Sequence, residues 1–308
     1  MDILEQQLYV IKESLISKDG EVVELHPDAE KQITQDLIYI NKVKNKEEKE
    51  RKKAFYDMQK AKTEFQEFIS EELGNFYFYF YNKIPKDIGK QYKFRFVYLC
   101  CYLKYNDPLN RLVIGNTNGK RFLLEKELKD LLKLKSRDFS YTKKCLIENN
   151  LITINHDKTI SVNDKCSLRG TLSKGRKKDD FTRIFKNGII ELYNKSLPTE
   201  HKKISLLIEI LPFINYNHNI LCFNPKEPDN NFVKPMKLNN LCEIIGYNPK
   251  NAYRLKRELI NIRINNEPAI LILEHVDVQL IIVNPKVYYK GDNINDLKLL
   301  IDYFTYKN

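Results

Sequence analysis

The feature that most constrains this chain is a short segment that occurs twice. Residues 160–170 read ISVNDKCSLRG and residues 281–291 read IIVNPKVYYKG. Ile160/Ile281, Val162/Val283, Asn163/Asn284, Lys165/Lys286 and Gly170/Gly291 are identical, and Arg169/Lys290 keeps its charge. Upstream matches hold nearly the same spacing. Tyr81-Asn82-Lys83 meets Tyr193-Asn194-Lys195 at an offset of 112, and Leu103, Tyr105 and Asn106 meet Ile214, Tyr216 and Asn217 at 111. Leu128, Leu131, Leu132, Lys143, Lys144 and Leu146 meet Leu241, Ile244, Ile245, Lys256, Arg257 and Leu259 at 113. Offsets that drift so little imply an internal duplication. The closing segment matches at 121, so an insertion of 121 − 113 = 8 residues is expected in the second copy's closing hairpin.

Each copy parses in the same order. An opening helix and a core helix lead to a short extended run, Arg111–Ile114 or Ile220–Phe223. The two aligned runs FVYLCCYLKYND (96–107) and LIEILPFINYNH (207–218) read as helical. A second helix (about 124–134; about 237–245), a tight turn and a third helix (about 137–149; about 249–261) follow. The unit closes on a hairpin rich in β-branched residues, LITIN and TISVN around His156-Asp157-Lys158, or AILILEHV and VQLIIVN around Asp277. This is the order of a winged helix-turn-helix. The expected fold class is therefore α+β, mainly α. It has two tandem winged helix-turn-helix domains from an internal duplication, with an N-terminal helical arm. The expected boundaries are an arm over 1–64, domains over 65–170 and 181–292, a basic linker over 171–180 and a C-terminal helix over 293–308.

Charge suggests the partner. Lys+Arg number 52 against 41 Asp+Glu, a net charge of +11, and a cationic surface of that size favours polyanions, most often nucleic acid. No stretch approaches ~18 consecutive apolar residues, so no membrane span is expected. The chain opens with Asp2 and Glu5 and lacks the basic and apolar regions of a signal peptide, which points to the cytoplasm. Six cysteines include no C-x-x-C pair and lie beside apolar residues, as reduced buried thiols do.

The flanking segments are helical in pattern. Leu4, Leu8, Ile11 and Leu15 form one seam, stopped at Lys18-Asp19-Gly20. A second helix starts near Asp28 with Ile33, Leu37 and Ile40 on a seam, and then the charged run KVKNKEEKERKK reads as a solvated connector. This arm either dimerises or follows a DNA backbone, or it packs as a hairpin on its own domain. At the other end Leu297, Leu300 and Ile301 share a face of a capping or dimerising helix.

A helix-turn-helix reads bases through the start of its third helix and phosphates through basic side chains around it. In the first copy Ser136 is the expected N-cap, and Arg137, Ser140, Tyr141, Lys143 and Lys144 are left for the groove. Phe139, Leu146 and Ile147 have core spacing. In the second copy Asn248 caps, Pro249 starts the helix and Gly246 suits the turn. Lys250, Asn251, Tyr253, Arg254 and Arg257 then face DNA, with Ala252, Leu255 and Leu259 inward. Asn251 suits adenine and Arg254 guanine, because their planar groups match those base edges. Lys158 and His156 in the first wing, and Arg263, His275 and Lys286 near the second, are candidates for phosphates or the minor groove. Between the copies, KCSLRGTLSKGRKK supplies Lys165, Arg169, Lys174, Arg176, Lys177 and Lys178, either following a backbone or as a plain solvated linker. The alternative for each third helix is an ordinary charged surface helix.

The segment FTRIFKNGIIELYN (181–194), the turn GYNPKN (246–251) and the ending VNPKVYYKG (283–291) resemble the RepL-type replication proteins of plasmids from low-GC bacteria. The resemblance covers residues 181–292; in the first copy Asp164 replaces the proline, and Ser167 and Leu168 the aromatics. Two tandem winged helices are also similar to the architecture of iteron-binding plasmid initiators. The resemblance implies binding to the double-stranded DNA of a replication origin and recruitment of host replication proteins; separately, the seams of the N- and C-terminal helices allow a homodimer through either. A transcriptional regulator of a mobile element is the alternative.

Catalytic signatures are not found. Gly115-Asn116-Thr117-Asn118-Gly119-Lys120 has three residues between its glycines where a P-loop needs four, and Arg121 follows the lysine. The histidines His26, His156, His201, His218 and His275 show no metal-ligand spacing, so the metal site of a nicking enzyme is not expected. No cofactor and no catalytic residue are assigned.

Overall fold

The computed structural model describes residues 27–115, 119–173, 175–276 and 278–305, with the backbone alone for Glu30, Lys177 and Asn230. The helix expected over 3–16, the stop at Lys18-Asp19-Gly20, the centre of the Gly115–Lys120 loop, Lys174 and the turn at Asp277 lie outside these residues. The chain is mixed α and β, about half helical, with small antiparallel sheets. It divides into two compact units, Met1–Glu64 and Phe65–Asn308.

The described part of the first unit belongs to α1 (Pro27–Glu72), a single helix through the charged run. Ion pairs one turn apart, Lys52–Glu48 at 2.7 Å and Lys60–Glu64 at 3.8 Å, support helix in a stretch with little to bury. Tyr39, Phe55, Tyr56 and Met58 stand exposed along it.

The second unit is organised around a four-stranded antiparallel sheet. Its strands are β1 (Phe76–Tyr79), β6 (Ser167–Leu168), β7 (Thr182–Phe185) and β12 (Tyr288–Tyr289), in the spatial order β12-β7-β1-β6. FYFY and TRIF thus begin the two halves as strands that were not expected; the expected opening helix follows TRIF over Lys186–Lys195, but only a 3₁₀ turn, Tyr81–Lys83, follows FYFY. The strands' length explains the miss: four residues carry little periodicity, and partners about a hundred residues away hold them in place. β1 and β7 pair with Phe78 opposite Arg183, Tyr77 opposite Ile184 and Tyr79 opposite Thr182. β6 sets Leu168 against Phe78 and Ser167 against Tyr79, while β12 sets Tyr289 against Arg183 and Tyr288 against Ile184. Phe78 and Arg183 therefore occupy matching positions and face each other, which makes the register symmetric about a local two-fold axis through that pair.

Between its two sheet strands, the first half runs α2 (Lys90–Cys100), β2 (Val113–Ile114), β3 (Arg121–Phe122), α3 (Leu128–Leu132), α4 (Ser136–Glu148) and the hairpin β4 (Ile152–Ile154)–β5 (Ile160–Val162). The second half runs α5 (Lys186–Lys195), α6 (His201–Ile204), α7 (Leu206–Glu209), α8 (Leu238–Ile245), α9 (Ala252–Ile260), β8 (Arg263–Ile264), β9 (Glu267–Pro268) and the hairpin β10 (Ile270–His275)–β11 (Val278–Val283). The run 207–218 is not one helix as expected. α7 stops at Glu209 and a 3₁₀ turn over Leu211–Phe213 replaces its continuation, because Pro212 has no N–H to donate to Ile208 O and so cannot extend the α-helical ladder.

The same hydrogen bonds recur in both halves. Asn110 Nδ2 donates to the carbonyls of Val162 and Ser167 at 2.9 and 2.8 Å; Asn219 Nδ2 donates to those of Val283 and Tyr288 at 3.1 and 2.8 Å. Both asparagines are left-handed, with φ of 51° and 50°. In the repeated segment, the Lys165 amide donates to Asn163 Oδ1 at 3.0 Å and the Lys286 amide to Asn284 Oδ1 at 2.9 Å. Its final glycine sits where a side chain has no room. A Cβ on Gly170 would overlap Asn106 Oδ1, and one on Gly291 the Tyr289 hydroxyl.

These bonds also locate the extra residues. Asn163 N–H donates to Leu151 O, and Asn284 N–H to Ala269 O. The offset is thus already 118 where the hairpin starts, so 118 − 113 = 5 of the eight residues precede it, as the β8–β9 ribbon, and 121 − 118 = 3 lengthen it. The expectation of eight residues inside the hairpin is corrected accordingly.

The halves share one core. Tyr98 of α2 stacks on Tyr193 of α5 at 3.6 Å between ring centroids, and the Tyr193 hydroxyl donates to Leu132 O at 2.7 Å. Lys90 Nζ donates to Ile245 O at 2.9 Å, placing a cation at the negative end of α8. A second cluster joins Phe65, Ile69 and Leu73 to Phe185 and Tyr289, and to Leu297, Leu300 and Phe304 of α10 (Ile294–Thr305). The apolar face of the C-terminal helix is thus covered within its own chain, as the capping alternative has it.

Candidate nucleic-acid interface

Each half presents one helix on a matching support. α3 ends at Lys133 in the left-handed conformation (φ 50°), and α8 ends at Gly246 in the same conformation (φ 68°). That reversal aims α4 and α9 away from the helices before them. At Gly246 it costs no Cβ strain, whereas Lys133 bears it. Leu132, Leu134 and Leu146 anchor the first pair, and Leu241, Leu255 and Leu259 the second, all buried. Phe139 and Ala252 pack at the edges of these cores. Ile147, expected inside, is 37% exposed, one position past the buried Leu146 on the far side of the helix.

On α4, Arg137, Ser140, Tyr141 and Lys144 are exposed. The Arg137 guanidinium lies 5.8 Å from the centre of the Tyr141 ring. Ser140 Oγ donates to Ser136 O at 3.0 Å, and Lys144 pairs with Glu148 at 3.7 Å. Lys143 is half-buried and bonded to Glu125, whose carboxyl it holds below the usual carboxylate range. Ser136 does not cap: it is the first helical residue, after Lys135, and its Oγ accepts from Lys129 Nζ at 3.0 Å.

The second helix begins as a 3₁₀ turn, Pro249–Asn251, with Asn248 Oδ1 accepting the Lys250 amide at 3.0 Å. Asn248, Lys250, Asn251, Tyr253, Arg254 and Arg257 are all exposed, Tyr253 at 73%. Arg254 bonds to Glu258 at 3.1 Å, a solvent-exposed pair of little strength. Among the described residues the Lys250 and Arg257 side chains have no acidic partner. A groove of about 520 Å³ separates this helix from its hairpin, lined by Tyr253, Lys256, Val276, Val278 and Gln279 among others.

The remaining basic candidates divide. Lys158 is exposed at the first hairpin's turn (φ 63°), and Lys178 is exposed. Arg176 is half-buried and bonded to the carboxylate and carbonyl of Asp164. Lys286, in the repeated segment's turn, pairs with Glu267 of β9 at 2.6 Å. His156 and His275 are exposed at the hairpins, and Arg263 donates to Asn266 O at 2.7 Å.

The closing basic residue of the repeat is part of the frame rather than of a linker. Arg169 Nη1 donates to Leu103 O at 3.2 Å, and Lys290 Nζ donates to the matching Ile214 O at 3.3 Å and to Leu211 O at 2.6 Å. Each lies against a matching ring, Arg169 6.0 Å from Tyr105 and Lys290 5.1 Å from Tyr216. Burial pulls the Lys290 ammonium down to about 7, against the opposing field of Asp180. Sequence shows such a residue as surface charge; its repetition beside an invariant glycine is the one signal that it is structural.

Two further residues join the halves without having been singled out. Arg95 is buried and, among the described residues, bonds to no carboxylate; its guanidinium donates to Thr142 Oγ1 on α4 at 2.7 Å and to His201 Nδ1 at 3.1 Å. Burial and the Arg95 charge push His201 down to about 4. The Arg95 bonds tie an exposed helix of one half to the other half.

Among the described residues no three His, Cys, Asp or Glu cluster as a metal site, and no helix is long and apolar enough to cross a membrane. Comparison with protein-family models, curated proteins and solved structures gives no match.

Proposed function

We propose that the chain is a sequence-specific binder of double-stranded DNA, built as two winged helix-turn-helix halves. We further propose that it initiates replication of a plasmid or phage by binding origin repeats. The observation that carries this reading is the pair of helices α4 and α9. Each follows a shorter helix through a left-handed turn and exposes polar and cationic residues at its start. The recurring bonds of Asn110 and Asn219 support a common frame for both halves. The initiator part rests on the resemblance of residues 181–292 to RepL-type proteins.

In this reading Asn251 and Arg254 meet base edges, while Arg137, Lys144, Lys250 and Arg257 meet phosphates. The local two-fold of the sheet favours inverted half-sites about 10 bp apart or a multiple of that. Footprinting of the full chain on DNA flanking its gene tests this. Protected repeats beside an AT-rich tract are expected. A single site over a promoter would make the chain a transcriptional regulator, and no protection at any site would refute DNA binding. Asn251→Ala should weaken the specific complex by about 1–3 kcal/mol and relax preference at one base pair.

A further inference from the structure

A cleft of about 470 Å³ in the first half collects positive charge away from α4 and α9. Lys104, Lys120, Arg169 and Lys186 line it with Asn75 and Tyr105, and among the described residues no carboxylate does. Arg169 spends its hydrogen bonds on neutral acceptors, Leu103 O and Asn75 Oδ1 at 3.0 Å. Lys104 is held at 3.6 Å by Asp107, which is engaged mainly by Arg111 at 2.9 Å. Lys186 is half-buried, its ammonium has no hydrogen bond or ion pair among the described residues, and it feels Arg169 and Lys120 as like charges. Half-burying an unpaired ammonium beside two other cations is unfavourable unless an anion completes the site.

The second half shows what a self-sufficient version of this place looks like. Lys290 and Tyr216 match Arg169 and Tyr105, as above. The sheet register fixes the remaining matches: Phe80 N–H donates to Cys166 O and Phe185 N–H to Val287 O, an offset of 185 − 80 = 105. At that offset Asp180 matches Asn75 and Tyr81 matches Lys186, which replaces the sequence match of Tyr81 to Tyr193 at 112. Asp180 balances the charge there, accepting from Lys226 at 2.8 Å, Tyr216 at 2.9 Å and Asn82 at 3.0 Å. The first half thus has an amide in place of the carboxylate, and an extra cation in place of a phenol.

We propose that this cleft binds a phosphate group, with Lys186, Arg169 and Lys120 supplying charge and the half-open Tyr105 ring flanking it. The phosphate comes either from a small polyphosphate such as a nucleotide or from a DNA backbone. The test uses the full chain and two variants, Lys186→Gln and Asn75→Asp, the latter restoring the second half's carboxylate. Neither removes a core contact. Both should melt at or above the parent in phosphate-free chloride buffer, which verifies their folding.

With a small polyphosphate as source, pyrophosphate or ATP raises the parent's melting temperature beyond chloride of equal ionic strength. Both variants then bind it about tenfold or more weakly. With DNA as source, pyrophosphate and ATP have no effect. The slope of log affinity against log salt on a duplex then falls by about 0.9 in each variant. The duplex arm rests on the DNA reading and the pyrophosphate arm does not. No response to either anion together with an unchanged salt slope overturns the proposal while leaving the DNA reading standing. A duplex that fails to bind parent and variants alike sinks the DNA reading, and pyrophosphate then decides the cleft alone.

Discussion

Protonation of His201 should loosen the joint between the two halves of the second unit. The imidazole is 1% exposed, lies against Phe94 and Tyr193 with ring centroids at 5.4 and 4.5 Å, and accepts from Arg95 through Nδ1. A proton on Nδ1 would remove that acceptor and set two buried cations side by side. Burial and Arg95 lower the folded group to about 4, from 6.5. The unfolded chain therefore takes up the proton first as pH falls. Stability is fully present above about pH 6.5 and is lost progressively down to about pH 4, where the slope ends. The difference of 2.5 corresponds to at most about 3.5 kcal/mol, since each pH unit is worth about 1.4 kcal/mol. The assay is urea denaturation of the parent and of His201→Gln between pH 4 and 8. Glutamine can still accept from Arg95 but does not titrate in this range. Carboxylates titrate in both proteins and cancel in the difference. The parent should lose about 2–3 kcal/mol relative to the variant between pH 7 and 4.5. Identical pH dependence in the two proteins would refute the argument.

Three further outcomes are expected. Lys290, lowered to about 7 from 10.5, leaves the folded chain neutral there while the unfolded chain still holds its proton. Stability should therefore rise with pH between about 7 and 10.5, and Lys290→Met should flatten that rise in the same denaturation series. Asn110→Ala and Asn219→Ala should each cost about 2–4 kcal/mol, because each loses two buried hydrogen bonds and strains a left-handed residue; a near-zero loss in either would contradict matched roles. Lys133→Gly should raise stability by up to about 1 kcal/mol, relieving the left-handed strain that Gly246 avoids, as read from the shift in urea midpoint.

What the sequence made legible was whatever has a short period or a repeated spacing. The turn at Gly246, the buried Leu255 and Leu259, and the long charged helix all follow from local pattern, whereas Lys133, read as part of the second helix, ends it in the left-handed conformation. The sheet does not. FYFY and TRIF are too short to alternate visibly, and their pairing depends on contacts across the whole second unit. The exposed candidates Arg137, Tyr141, Asn251 and Arg257 were legible as side chains left over by a core face. Arg169, Arg176, Lys286 and Lys290 were not legible as structural, because a basic residue bonded to carbonyls looks the same in sequence as one in water. Arg95 and His201 carry no pattern at all; only the fold brings them within 3.1 Å.

The shared core of the two halves has a consequence for dose. Proteins that build a two-helix reader from separate subunits must first find each other, so their occupancy falls with the square of dilution. Here one polypeptide carries both readers, and the tyrosine stack and the Arg95 bonds pack its two halves together. Under the DNA-binding proposal, occupancy would scale with the first power of concentration, so thinning the protein out would silence it less abruptly than it would a reader assembled from two subunits.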